Sequence, residues 1–382
     1  MIKLAETHVQ LEISSDFDSG NIEVIDALDK HRVLLAIRSD FGGEHRQWFH
    51  FRAAGLSVGA HHRFTLVNAG SASYVGAWPG YRAMASYDRQ HWFRIPTHYD
   101  DDGLHFTLEA DHQQAWFAYF EPYSRERHVR LIDRALRCPG AALLATGNSI
   151  EGRKIELLRF ARPDTPPPLK VWIIAQQHPG EHMAEWFAEG VVEALESFAE
   201  PLLDHAQIYL VPNMNPDGSF AGHLRCNAAG VDLNRAWMAP NETSSPEVLF
   251  IQKQMQRHGV DLFLDVHGDE EIPYVFLAGS EGNPGFTERL VKLESQFRQL
   301  LLEIAEFQTD YGYPADSPDE ADLSIACNYV GQTYDCLSLT LEMPFKDHDL
   351  APCPETGWNG RRSMKLAGNV LEVIAKIAPH LR

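Results

Sequence analysis

Short apolar or alternating runs mark the first third of the chain, residues 8 to 120: VLLAI (33–37), QWFHF (47–51), RFTLV (63–67), LHFTL (104–108) and AWFAYF (115–120). Turn-forming clusters separate them, among them SSDFDSGN, SDFGGE, NAGSAS and YDDDG. Closely spaced short strands without a long helical period predict an all-β antiparallel sandwich. The texture changes near Pro122. SRERHVRLIDRAL (124–136) pairs a serine cap with apolar Val129, Leu131, Ile132, Ala135 and Leu136, the period of an amphipathic helix. Beyond it strands and helices mix. Strands are expected at 142–146, 155–160, 171–177, 208–212, 262–266, 274–278 and 337–342, several as continuous apolar runs suited to central strands covered on both faces. Helices are expected at 181–198, 246–258, 286–306 and 360–378. The chain reads as an N-terminal β-sandwich domain, residues 1–122, followed by an α/β domain with a mixed sheet, residues 123–382. Four prolines in ARPDTPPPLK (161–170) mark an exposed connection between elements of the second domain.

Composition narrows the partners. With 44% hydrophobic and 23% charged residues over 382 positions, the chain is long and apolar enough for a sizeable core. A formal charge of −20 repels phosphate backbones and anionic lipid, so neither nucleic acid nor a membrane is an expected partner. Five cysteines are scattered without C-x-x-C spacing and read as reduced thiols of a cytoplasmic protein. The first twenty residues lack a basic segment followed by an apolar core, and no run reaches the roughly 18 apolar residues that span a bilayer. Nothing in the chain speaks to oligomeric state.

Candidate chemistry concentrates at strand ends. H-x-x-E occurs at His178/Glu181, His182/Glu185 and His267/Glu270. Only the first stands where an apolar strand, VWIIAQQ, breaks into a turn, and ligands of open α/β sheets gather at the carboxyl ends of strands. Zinc in hydrolases takes two histidines and a carboxylate and keeps a fourth position for water. His182 and Glu185 fall inside the following helix and read as structural. A further ligand is available at His267, which closes the apolar strand LFLDV; Glu270 and Glu271 are rivals that read as solvated loop charges. Between the two histidines, GHLRCNAAGVDLNRAW (222–237) gathers Arg225, Asp232, Asn234 and Arg235. Guanidinium groups suit a carboxylate or a developing oxyanion, although a solvated loop is the commoner use. Glu342 ends the run LSLTLE, where a buried carboxylate is costly unless paired or functional.

In order along the chain, HPGE, NPDG (215–218), R-x-N…GVDLNR (225–235), the strand ending in His267, and TLEMPF with Glu342 resemble the zinc metallocarboxypeptidases of the carboxypeptidase A superfamily. FAYFEPYS (117–124), GNSIEGRKIELL (147–158) and the β-rich first third are most similar to the cytosolic carboxypeptidase branch, so the resemblance covers nearly the whole chain. It implies one zinc ion held by His178, Glu181 and His267, with Asp232 orienting His178. It further implies Asn234 and Arg235 as the clamp on a C-terminal carboxylate, Arg225 polarising the scissile carbonyl, and Glu342 as catalytic base. The implied substrates are the C-termini of peptides or proteins.

The alternatives are a zinc amidohydrolase that deacylates N-acyl amino acids with the same site, and a catalytically silent binding protein; the complete ligand and base set speaks against the latter. In the stretch expected to line the specificity pocket, four tyrosines (Tyr311, Tyr313, Tyr329 and Tyr334) compete for the place of the pancreatic-type loop tyrosine. Between Asp310 and Cys336 there is no basic residue, and Asp310, Asp316, Asp319, Glu320 and Asp322 are acidic, which favours neutral or basic side chains over glutamate.

Overall fold

The computed structural model describes residues 11–29, 31–162 and 169–381. Residues 1–10, read above as lacking a signal segment, and most of the proline-rich connection lie outside the described residues.

Each of the five apolar runs of the first third overlaps a strand of two five-stranded sheets, QWFHF only through His50 and Phe51. One sheet orders Glu12–Ser14, His50–Ala54, Gln114–Ala118, Met84–Ser86 and Trp92–Arg94; the other orders Glu23–Asp29, Arg32–Ala36, His61–Leu66, Gly103–Glu109 and Thr97–Asp100. Pairing is antiparallel except where Arg32–Ala36 runs parallel to His61–Leu66, a detail the sequence pattern did not predict. Alternation along the strands turns Phe51 and Phe117 of one sheet toward Phe64 and Phe106 of the other. All four rings are buried, with Phe64 and Phe117 centroids 4.6 Å apart, within the range of favourable aromatic pairing.

The second half is a seven-stranded mixed sheet. Its strands are β1 (Ala141–Asn148), β2 (Lys154–Phe160), β3 (Leu169–Ala175), β4 (Ala206–Val211), β5 (Leu262–Asp269), β6 (Phe276–Ala278) and β7 (Leu337–Pro344), in the order β1-β2-β4-β3-β5-β7-β6. The centre, β4-β3-β5-β7, is parallel, and its strands are buried on both faces, as their unbroken apolar runs require. The helices are α1 (Arg125–Ala135), α2 (Met183–Leu203), α3 (Pro216–Ala221), α4 (Pro246–His258), α5 (Glu288–Ile304), α6 (Ala326–Tyr334) and α7 (Gly360–Ile377). Val171 and Ile173 of β3 pack with α2, α5 and α7 on one face, while Trp172 and Ile174 pack with α4 and α6 on the other. Ser124 caps α1 by accepting from the Arg127 N–H, as its position in the sequence predicts.

Helices α2 and α7 cross closely at Gly190. A Cβ there would overlap the Met364 carbonyl and Cα, so only glycine admits this approach. Gly190→Ala is expected to destabilise the fold by about 1–3 kcal/mol, seen as a lower midpoint in urea with an unchanged m-value.

Candidate active site

Parallel register delivers the site. His178 follows β3 after two residues, His267 lies near the end of β5, and Glu342 sits on β7 directly opposite His267. The turn after β3 then brings Glu181 back beneath both imidazoles. Gly180 makes that turn feasible, because its N–H donates to the Leu224 carbonyl at 2.9 Å and a side chain would collide with the same loop.

His178 Nδ1 lies 2.7 Å from Glu181 Oε1, His267 Nδ1 lies 2.8 Å from Glu181 Oε2, and the two Nδ1 atoms are 3.2 Å apart. One donor atom from each of these three buried residues falls within 4.8 Å of the others, close enough to bind one metal ion. Each imidazole turns its other nitrogen to an aspartate: His178 Nε2 lies 3.0 Å from Asp232 Oδ1, and His267 Nε2 lies 2.9 Å from Asp265 Oδ2. Such a carboxylate fixes tautomer and ring orientation and raises ligand basicity. Burial raises the Glu181 carboxyl, but the two imidazoles outweigh it and hold the group below the ordinary carboxylate range.

The donor set suits a divalent cation on a second count. Glu342 and Glu270 are buried close by, and burial together with the Glu181 charge pushes both carboxyls well above their ordinary range. Among the described residues, Glu342 Oε2 has no hydrogen-bond partner. Carboxylates crowded out of water at this density need positive charge among them.

The arginine loop completes the cavity, about 780 Å³ in volume. Arg225 Nε donates to Asp232 Oδ2 at 2.7 Å, and the Asn234 N–H donates to Asp232 Oδ1 at 2.9 Å. The Asn234 carbonyl oxygen accepts from the Ala326 N–H at the start of α6, so its amide nitrogen is the end left toward His267. Arg235 is exposed and lines the cavity. Tyr313, alone of the four candidate tyrosines, reaches Glu342: its hydroxyl lies 3.3 Å from Glu342 Oε1 and 2.7 Å from Asp269 Oδ2.

The remaining candidates fall elsewhere. His182 stacks on Trp48 at 4.3 Å and accepts from the Tyr123 N–H, and burial lowers its pKa to about 3. Glu185 pairs with His128, where burial is outweighed by Glu185 and Glu156 and the imidazole is held up at about 10. Both members of this H-x-x-E pair are thus taken up in packing and ion pairing. Glu271 is exposed as expected, but Glu270 is not a solvated loop charge: it is buried in the cavity wall, because the strand extends through Asp269 and carries the next residue inward. The pocket wall also holds a cation that the segment 310–336 lacks. Arg298 reaches it from α5, tied to Glu294 at 2.5 Å and lying 3.6 Å from Glu281. Further site residues were not anticipated from the sequence, Asp265 and Tyr74 among them. Asp265 had a signal, an acid in an apolar strand two positions before a histidine and so on the same face; Tyr74, which lines the cavity from the sandwich, had none.

Two family models match the chain, "Cytosolic carboxypeptidase N-terminal domain" over residues 13–120 and "Zinc carboxypeptidase" over residues 130–358. The chain belongs to the zinc carboxypeptidase family. This carboxypeptidase is similar to a metallo-carboxypeptidase from Pseudomonas aeruginosa solved in complex with (2-guanidinoethylmercapto)succinic acid, at 59% identity over 97% of this chain and 100% of that one, with a TM-score of 0.95. A metallo-carboxypeptidase from Burkholderia cenocepacia is 43% identical, with 97% and 99% covered and a TM-score of 0.92. Cytosolic carboxypeptidase 6 of Caenorhabditis elegans is 24% identical over 370 residues, 88% of this chain and 79% of the relative. The carboxypeptidase is accordingly a hydrolase of a zinc-dependent family, and none of its described helices is long and apolar enough to cross a membrane.

Removing the second aspartate tests the geometry of the carboxypeptidase's triad. Asp265→Asn is expected to weaken zinc binding by about 10–100-fold, measured by competition with a chromogenic chelator.

Proposed function

We propose that the enzyme removes the C-terminal residue from peptides or proteins, with one zinc ion held by His178, Glu181 and His267. The observation that carries this reading is the convergence of two imidazoles and a carboxylate beside the buried Glu342, which has one carboxylate oxygen free. When bound, the ion supplies Lewis-acid polarisation and acidifies water. Glu342 takes the proton from the attacking water and delivers it to the leaving amine. Arg225 donates to the scissile carbonyl oxygen as negative charge develops there. Arg235 and the Asn234 amide donate to the terminal carboxylate, which makes the enzyme an exopeptidase. Tyr313 holds Glu342 through its hydroxyl.

The wall of the pocket favours neutral or basic terminal side chains. Glu281, Asp310 and Asp316 line it, and the charge of Arg298 is offset by Glu294. The ligand of the Pseudomonas aeruginosa relative, which joins a guanidine to a dicarboxylate, is chemistry that such a wall would accept. Five free thiols support a cytoplasmic location, and we place the boundary between the sandwich domain and the catalytic domain at residues 122/123.

Glu342→Gln is expected to retain zinc and lose about two to four powers of ten in turnover; near wild-type hydrolysis would remove the base assignment. A C-terminal peptide library read by mass spectrometry, with that variant as control, should show Lys, Arg or Leu released faster than Glu, and the reverse order would overturn the pocket reading. Arg235→Ala should raise KM for peptides with a free C-terminus by about tenfold or more. Equal wild-type activity on C-terminally amidated peptides would sink the exopeptidase reading.

A further inference from the structure

Arg225 stands on an irregular loop. Between Gly222 and Asp232 the chain has neither helix nor strand, only a single bridge pairing Cys226 with Asp232. A long, rotamer-rich side chain on such a loop keeps a fixed position only if other groups hold both the backbone and the guanidinium. Asp232 accounts for one contact. The others come from the sandwich.

The buried Asp40 carboxylate accepts from three consecutive N–H groups of this loop: Leu224 at 2.7 Å, Arg225 at 2.7 Å and Cys226 at 2.9 Å. Bonds from donors to an ionised acceptor are the stronger kind, and here three of them fix the backbone on both sides of Arg225. The loop is seated further by the Asn21 amide, which donates to the Gly222 carbonyl at 2.8 Å. At the other end of the side chain, Arg225 Nη1 donates to the Tyr74 hydroxyl at 2.7 Å. Tyr74 lines the same cavity as His178, Glu181 and His267, and burial holds its phenol well above the ordinary value. With Nε on Asp232 and Nη1 on Tyr74, the guanidinium is held at two of its three nitrogens, and among the described residues Nη2 makes no hydrogen bond.

We propose that the N-terminal sandwich is part of the catalytic apparatus, with Asp40 and Tyr74 as positioning residues that hold the Arg225 guanidinium where the substrate carbonyl is polarised. This rests on the reading of Arg225 as the carbonyl-polarising residue. The sandwich then acts in the chemical step without contributing a metal ligand, a base or a carboxylate clamp.

The test uses the full-length zinc enzyme and Tyr74→Phe, Asp40→Asn and Arg225→Ala. Zinc content, thermal midpoint, kcat, KM, and inhibition by a phosphinic peptide and by a succinate-based ligand of the terminal-carboxylate site would be measured for each. Tyr74→Phe keeps the ring and removes one hydrogen bond to a charged group. It should lower kcat by about ten- to a hundredfold and weaken the phosphinic peptide by the same factor, with KM and the succinate ligand within twofold. Asp40→Asn should shift the same two quantities in the same direction. A purely structural role would instead weaken both ligands together, and that result overturns the proposal. Impaired Arg225→Ala beside unimpaired Tyr74→Phe and Asp40→Asn overturns this inference alone. An Arg225→Ala enzyme with wild-type turnover removes the reading of Arg225 and this inference with it.

Discussion

Glu181 places one carboxylate oxygen 2.7 Å from His178 and the other 2.8 Å from His267, with all three side chains out of water. Holding this cluster together in the interior dictates much of what surrounds it. Each imidazole needs an acceptor for its remaining nitrogen, and Asp232 and Asp265 supply one each. The two histidines must arrive from different strands at the same height, which the parallel pairing of β3, β5 and β7 provides. The turn that returns Glu181 must pass against the arginine loop without a side chain in the way, and Gly180 meets that requirement. Buried charge is tolerated here because Asp232, Asp265 and the Gly268 N–H, which donates to Glu181 Oε2 at 3.1 Å, supply partners.

The same crowding gives the cavity two electrostatic ends. Glu181, Glu270 and Glu342 crowd acidic groups into the floor, whereas Arg225 and Arg235 stand along the side formed by the loop after α3. A ligand that is anionic at one end and has a polarisable carbonyl next to it fits this gradient. The chain's overall −20 charge works against anionic ligands at long range, so attraction of a terminal carboxylate depends on these local guanidinium groups.

Much of this was legible in the sequence, and the exceptions have physical causes. The triad, Glu342 and the arginine loop were visible because each lies in a short local motif at a strand end, and the structure brings those residues into one cavity. Four expected long helices agree with α2, α4, α5 and α7 to within about five residues at either end, the usual fraying of sequence boundaries. Helix α6 was missed: ACNYVGQTY combines Cys, Asn, Tyr, Val, Thr and Gly, all modest or poor helix formers, and its N-cap makes no side-chain hydrogen bond. Arg298 was missed because it reaches the pocket from α5, outside the stretch that forms most of the wall. Asp40 and Tyr74 carry no local signal at all, since their partners lie about 150 to 185 positions away.

The seat that Asp40 makes for Leu224, Arg225 and Cys226 binds the two halves of the molecule in a thermodynamic sense as well. Three N–H donors out of water cannot be left without an acceptor at small cost, so an ordered loop and a folded sandwich stabilise each other by the same free energy. Opening of the sandwich at Asp40 would therefore remove the acceptor of the loop that carries Arg225 without breaking a contact of the central sheet itself. On the proposal above, local opening around Asp40 would free the loop that carries Arg225 even while the rest of the sandwich stays folded.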